Sequence, residues 1–102
     1  MSSQDDRRCL VLVSLQQALL GEVASNLRAV TVGYDDISMS VEAFYDGEVG
    51  DDECEAMSLV ETELIAMFPD HHVVNVKLVR KDFPDLIPKD CAWVYYRKEP
   101  LY

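Results

Sequence analysis

The sequence predicts an α+β domain with the element order α-β-β-α-β-β, closed as a four-stranded, mainly antiparallel sheet with both helices packed on one face. Three observations lead there. Residues 51–68 carry apolar side chains at helical spacing. Residues 37–46 alternate apolar and polar with a period of two. The αββ pattern occurs twice, and no crossover helices are placed to give a fully parallel sheet. At 102 residues the chain is one domain with one core, and 49% apolar content is ordinary for a globular fold and too high for disorder. Residues 1–8 are expected to form a flexible lead-in.

Residues 5–21 read as the first helix. Asp5 or Asp6 supplies a cap, and Gly21 stands where a C-terminal glycine belongs. Leu12, Leu15, Leu19 and Val23 recur at three- and four-residue spacing. Val11 and Val13 disfavour helix, leaving an extended 9–13 as the alternative. Asn26 to Tyr34 is rich in Val and Thr and reads as a strand. Asp35-Asp36 is a turn signal, so a hairpin follows. In its second strand Ile37, Met39, Val41, Ala43 and Tyr45 form the apolar face, opposite Ser38, Ser40, Glu42, Phe44 and Asp46.

Asp46 to Gly50 breaks the pattern. The second helix follows, with Met57, Val60, Leu64, Met67 and Phe68 inward and Pro69 as its stop. Val73 to Lys81 reads as a strand with Val74, Val76 and Leu78 inward. Residues 82–90 hold two prolines and form a loop. Ala92 to Arg97 is the final strand. Strict alternation sets Trp93, Tyr95 and Arg97 on one face and Ala92, Val94 and Tyr96 on the other.

Charge is the main functional clue. From Ala29 to Val76 there is no lysine or arginine, yet twelve carboxylates; the flanks nearly balance, and the chain carries −10 overall. Such a field repels nucleic acid and anionic membrane and steers cationic partners inward. The densest part is 46–55, where six of ten residues are acids: Asp46, Glu48, Asp51, Asp52, Glu53 and Glu55. Asp51, Asp52 and Glu53 have a folding rationale, because a helix N-terminus favours negative charge by roughly 0.3–1 kcal/mol each. The remaining acids do not, and clustering them costs stability through self-repulsion. Plain solubility is the bland account; a cationic protein partner is the preferred one.

Other chemistry finds little support. A calcium loop starting at Asp46 lacks its twelfth-position glutamate, which is Met57, and its glycine is out of register. His71-His72 point to opposite sides of an extended chain, so no zinc site is expected. Cys9, Cys54 and Cys91 are odd in number and scattered. They read as small buried hydrophobes in a reducing, cytoplasmic setting. Arg7-Arg8 before CLVLVSL has a signal-peptide look, but seven apolar residues behind Asp5 and Asp6 are too few. No run approaches the ~18 apolar residues that span a membrane. There is no glycine-rich phosphate loop and no nucleophile with a placed base, so neither an enzyme nor a cofactor is expected. With nineteen acids, a carboxylate pair for glycoside chemistry has no specificity.

The succession LQQALLGEV, NLRAVTVGYDD, FYDGEVGDDE, VETELIAMFPD, VRKDFPDLIP and WVYYRKE resembles small immunity proteins. These are encoded beside bacterial contact-dependent growth-inhibition toxins and related polymorphic toxins. The resemblance covers roughly residues 15–99. It implies a cytosolic, non-enzymatic protein that binds and blocks a cognate toxin domain. It brings no binding residues with it. Because many such toxins are nucleases with basic clefts, an acidic inhibitor matches them in charge. The expected toxin-facing surface is therefore Asp35, Asp36, Tyr45, Asp46, Glu48, Asp51, Asp52, Glu53 and Glu55. A generic acidic adaptor for another basic partner is the alternative.

Overall fold

The computed structural model describes residues 3–35, 37–68, 73–88 and 92–99. Its elements are α1 (Ser3–Leu19), β1 (Leu27–Tyr34), β2 (Ser38–Tyr45), α2 (Asp51–Met67), β3 (Val73–Arg80) and β4 (Ala92–Tyr96). The order is the expected one, but the sheet is mixed. Strands run β3-β2-β1-β4, with β1 antiparallel to both β2 and β4 and β2 parallel to β3. The parallel pair exists because α2 is a crossover, carrying the chain from the end of β2 back to the start of β3. The first half of the chain thus supplies the two central strands, β1 and β2, and the second half supplies both edges, β3 and β4.

Both helices pack on one face. From α1, Val11, Leu15, Ala18 and Leu19 are buried, at the three- and four-residue spacing that forms a single stripe. From α2 come Met57, Val60, Leu64 and Phe68. They close over Leu27, Val30, Val32, Met39, Val41, Ala43, Tyr45 and Val74 of the sheet. Segment 9–13 is helical despite its two valines, because burial of Val11 outweighs a propensity deficit of a few tenths of a kcal/mol. The helix starts at Ser3, which places Asp5 and Asp6 inside its first turn rather than at its cap. Val23 lies beyond the helix and is exposed, and Met67 faces outward on α2. Gly21 adopts φ +81, the left-handed conformation that ends α1 cheaply only for glycine.

The opposite face of the sheet is not simply wet. Ala29, Phe44 and Ile87 are buried there, with Val79 and Trp93 packed against them. The connection from β3 to β4 must cross the whole sheet between its two edges, and Ile87 is where that connection docks.

Two bulges set the details. Leu27 pairs Tyr45 while Ala29 pairs Phe44, so Arg28 is the extra residue on β1. Val30 pairs Tyr95 while Thr31 pairs Trp93, so Val94 is the extra residue on β4. The second bulge breaks alternation. Tyr95 joins the helix-covered core, and Trp93 meets Tyr96 edge-on at 4.9 Å. Sequence alternation had paired Trp93 with Tyr95 instead.

Cys9 and Cys54 are exposed thiols, not buried hydrophobes, because both fall on outward helix positions. Cys91 and His71-His72 lie outside the described residues.

Candidate functional site

One end of the molecule collects the start of β1, the ends of β2, β3 and β4, and the start of α2. Backbone bonds tie these termini together: the Asp46 N–H donates to the Asn26 carbonyl at 2.8 Å, Lys81 to Tyr45 at 2.8 Å, and Arg97 to Arg28 at 2.7 Å. The loop after Gly21 arrives at the same end, bringing Glu22. Asn26 Nδ2 donates to Glu53 Oε1 at 2.9 Å, which fixes that loop against α2.

The six acids of 46–55 therefore share one pole, but not one role. Asp46 is committed to the fold. Its Oδ2 pairs with Arg97 at 3.3 Å and its Oδ1 accepts the Phe83 N–H at 3.2 Å. Glu53 holds Asn26. Among the described residues, Glu48, Asp51, Asp52 and Glu55 are exposed and have no ion-pair partner within 4 Å. Asp51, Asp52 and Glu53 occupy the first turn of α2, whose cap Gly50 offers no side-chain oxygen. The carboxylates stand in for that missing cap.

The stretch free of basic residues in sequence is not free of them in space. Arg80 and Arg97 both reach this pole. Arg80 Nε pairs with Asp82 at 3.0 Å, and with the Gly47 N–H this hydrogen bond lowers the Asp82 pKa. Beneath the pole lies a buried cluster. Arg28 meets Glu99 side-on, and its Nη1 donates to the carbonyls of Lys81 and Asp85 at 2.6 and 2.9 Å. Its guanidinium lies over the Phe83 ring, 5.6 Å from the centroid. The same Glu99 accepts from Arg97 at 2.9 Å and from the Tyr96 hydroxyl at 3.2 Å.

Two expected site residues, Tyr45 and Asp35, stand apart from the exposed acids of the pole. Tyr45 is 1% exposed and packs in the core, so it presents no exposed aromatic surface, although it borders the cleft described below. Alternation along β2 had already put it on the apolar face. Asp35 sits at the far end of β2, about eight strand residues or some 25 Å from Asp46. Its Oδ1 accepts the N–H groups of Ile37 and Ser38 at 2.9 and 2.8 Å, so it builds the hairpin turn. Asp36 lies outside the described residues. The pole also contains residues that sequence reasoning missed. Leu20 is 77% and Val23 42% exposed, on either side of Glu22. The signal was available: an apolar residue straight after a helix and beside its terminating glycine has nothing left to pack on.

An open cleft of about 290 Å³ separates the loop 22–26 from the start of α2. Glu22, Asn26, Asp52, Glu53 and Ala56 line it, with Tyr45 below. Burial pushes the Tyr45 phenol up to about 12, helped by the nearby charge of Glu53. Among the described residues no three His, Cys, Asp or Glu side chains are arranged to hold a metal ion.

The model of the MafI2 immunity protein family matches residues 8–99. The chain belongs to that family. Membership spans every strand, α2 and most of α1, so the whole carboxylate pole lies inside the family's fold. It agrees with the resemblance drawn from the segment order, and it makes this an immunity protein of the kind that neutralises a toxin. No curated protein matches the chain. No helix among the described residues is long and apolar enough to cross a membrane.

Proposed function

We propose that the protein binds a cognate cytotoxic domain, a basic nuclease, and neutralises it non-enzymatically in the bacterial cytoplasm through the carboxylate pole. One observation carries this reading: Asp51, Asp52 and Glu55 stand exposed with no ion pair within 4 Å among the described residues, beside an exposed Glu48 that lies in the field of Arg80, at the end where Leu20 and Val23 are also exposed. Unpaired carboxylates of one sign accelerate encounter with a basic surface, up to 10⁸–10⁹ M⁻¹s⁻¹ at low salt for well-steered pairs. Apolar side chains beside them supply the desolvated contact that charge alone lacks. The same field disfavours nucleic acid and anionic lipid as partners. Contact-dependent delivery of the toxin is part of this reading.

The test is a charge reversal. Changing Asp51 and Asp52 to lysine together should cut the association rate with the adjacent-gene toxin domain at least tenfold at low salt. The deficit should shrink as salt rises and screening sets in. An unchanged association rate at low salt would place the toxin-facing surface elsewhere.

A further inference from the structure

The cleft beside the start of α2 has a composition that selects one kind of group. Its polar side chains are Glu22, Ser25, Asn26, Tyr45, Asp52 and Glu53, and among the described residues no lysine or arginine lines it. Glu53 spends Oε1 on Asn26, which leaves Glu53 Oε2 and Asn26 Oδ1 as acceptors on two residues that both line the cleft. Tyr45 adds an independent observation. It is 1% exposed, it lines the cleft, and its hydroxyl has no hydrogen-bond partner among the described residues. A buried hydroxyl without a partner costs about 1–3 kcal/mol, and such groups call for an explanation. Here the explanation is a ligand that completes it.

The ligand must be cationic, because three carboxylates in one cleft repel one another. It must also be extended, because the carboxylates do not converge as metal ligands do. At about 290 Å³ the cleft is below the usual range for whole small-molecule sites and suits a single side chain. A guanidinium offers five donors in a plane and pairs with carboxylates through two of them at once; an ammonium is a compact point charge. We propose that this cleft receives an arginine side chain of the partner, its guanidinium held by Glu53 and Asp52 and its remaining donors by Asn26 and the Tyr45 hydroxyl. This deepens the inhibitor reading and rests on it for the source of the arginine. The aliphatic stem passes over Ala56, where no charge opposes it. Catalytic clefts that bind phosphate present such arginines, so one inserted side chain would be withdrawn from its substrate.

Two arms test the proposal separately. In the first, N-acetyl-arginine amide is titrated into isotope-labelled protein, with N-acetyl-citrulline amide as its uncharged isostere. Saturable NMR shifts are expected at the Asn26 side-chain amide, Tyr45 and Ala56 with arginine only, and they should be lost in Glu53→Gln. Shifts spread evenly over Glu61 and Glu63, or equal shifts with citrulline, overturn the cleft. In the second, toxin binding is compared for the intact chain, for the double variant Asp52→Asn with Glu53→Gln, and for Tyr45→Phe. The double variant should bind at least tenfold more weakly. Tyr45→Phe should bind a few-fold more weakly while melting no lower than the parent, since it discards an unpartnered hydroxyl. Undiminished binding by the double variant overturns the cleft and leaves the inhibitor reading standing. An intact chain that ignores the toxin overturns the inhibitor reading, and the arginine titration then decides the cleft alone.

Discussion

Arg28 and Glu99 form a two-point ion pair, with Nε–Oε2 at 2.7 Å and Nη2–Oε1 at 3.0 Å, in which only 3% and 4% of the two side chains are exposed. The pair joins the bulge of the central strand β1 to the segment that follows β4. Its remaining valences are spent on the backbone of the 81–85 loop, on Arg97 and on Tyr96. A buried pair of this kind gains little over an apolar substitute, but losing half of it leaves a charge stranded.

Glu99→Ala should therefore lower unfolding stability by about 3–5 kcal/mol in urea titrations at neutral pH. Replacing Arg28 with Met and Glu99 with Leu together should cost less than Glu99→Ala alone. A single-variant loss under 1 kcal/mol would mean that the pair is solvated in solution.

Acid should attack the same pair. Glu99 is held at about 2 instead of 4.5, chiefly by the hydrogen bond from Arg28 and against the penalty of burial. A carboxyl whose folded pKa is depressed contributes in full above its unfolded value and loses that contribution as pH falls through the folded one. Thermal midpoints measured from pH 7 downward should hold until about pH 4.5 and then fall toward pH 2. Glu99→Gln should start lower and show a shallower decline.

Alkali should act through Tyr45. Its phenol is raised to about 12 from 10.0, so the neutral form is the one the fold favours. The associated stability is present in full below pH 10 and is lost as pH rises toward 12. Absorbance at 295 nm should show one tyrosine ionising after the others in the native protein. In Tyr45→Phe that late step should vanish.

Cys54 gives a probe of the proposed partner surface. It is exposed on α2, two residues from Asp52, and Cys9 is exposed in the first half of α1, ten residues before its C-terminal Leu19. Both thiols should react with maleimide in the folded protein. A bulky adduct on Cys54 should weaken toxin binding in a Cys9→Ser background. The reciprocal experiment, labelling Cys9 alone, should leave binding unchanged.

The elements themselves were legible because their periods are local. Val60 and Leu64, or Met39 and Val41, announce helix and strand without reference to anything distant. What escaped was set by distant partners. The choice of β3 to lie parallel beside β2 depends on α2 packing across the gap, which no window of the sequence encodes. The bulge at Val94 adds one residue and reverses the facing of everything beyond it, so Tyr95 and Tyr96 exchanged sides. Phe44 was placed on the polar face, where a docked loop turns out to bury it under Ile87. The candidate site suffered the same way. Its charge density was plain in the sequence, but Asp46 is claimed by an arginine 51 residues away. Asp35 belongs to a turn at the opposite end. Cys9 and Cys54 misled because cysteine is so often interior, whereas both fall on the outward side of their helices.

Strand β1 forms its second ladder with a segment made much later. Thr31 pairs with Trp93, and during vectorial synthesis the hairpin of β1 and β2 leaves the ribosome with one flank of β1 bare. That flank carries Ala29 and Val30, fully buried once β4 arrives. Until then it is an open template for any other nascent strand. The β1 flank is therefore sealed only by the last strand to be made, so closure of the sheet waits on the end of the described chain.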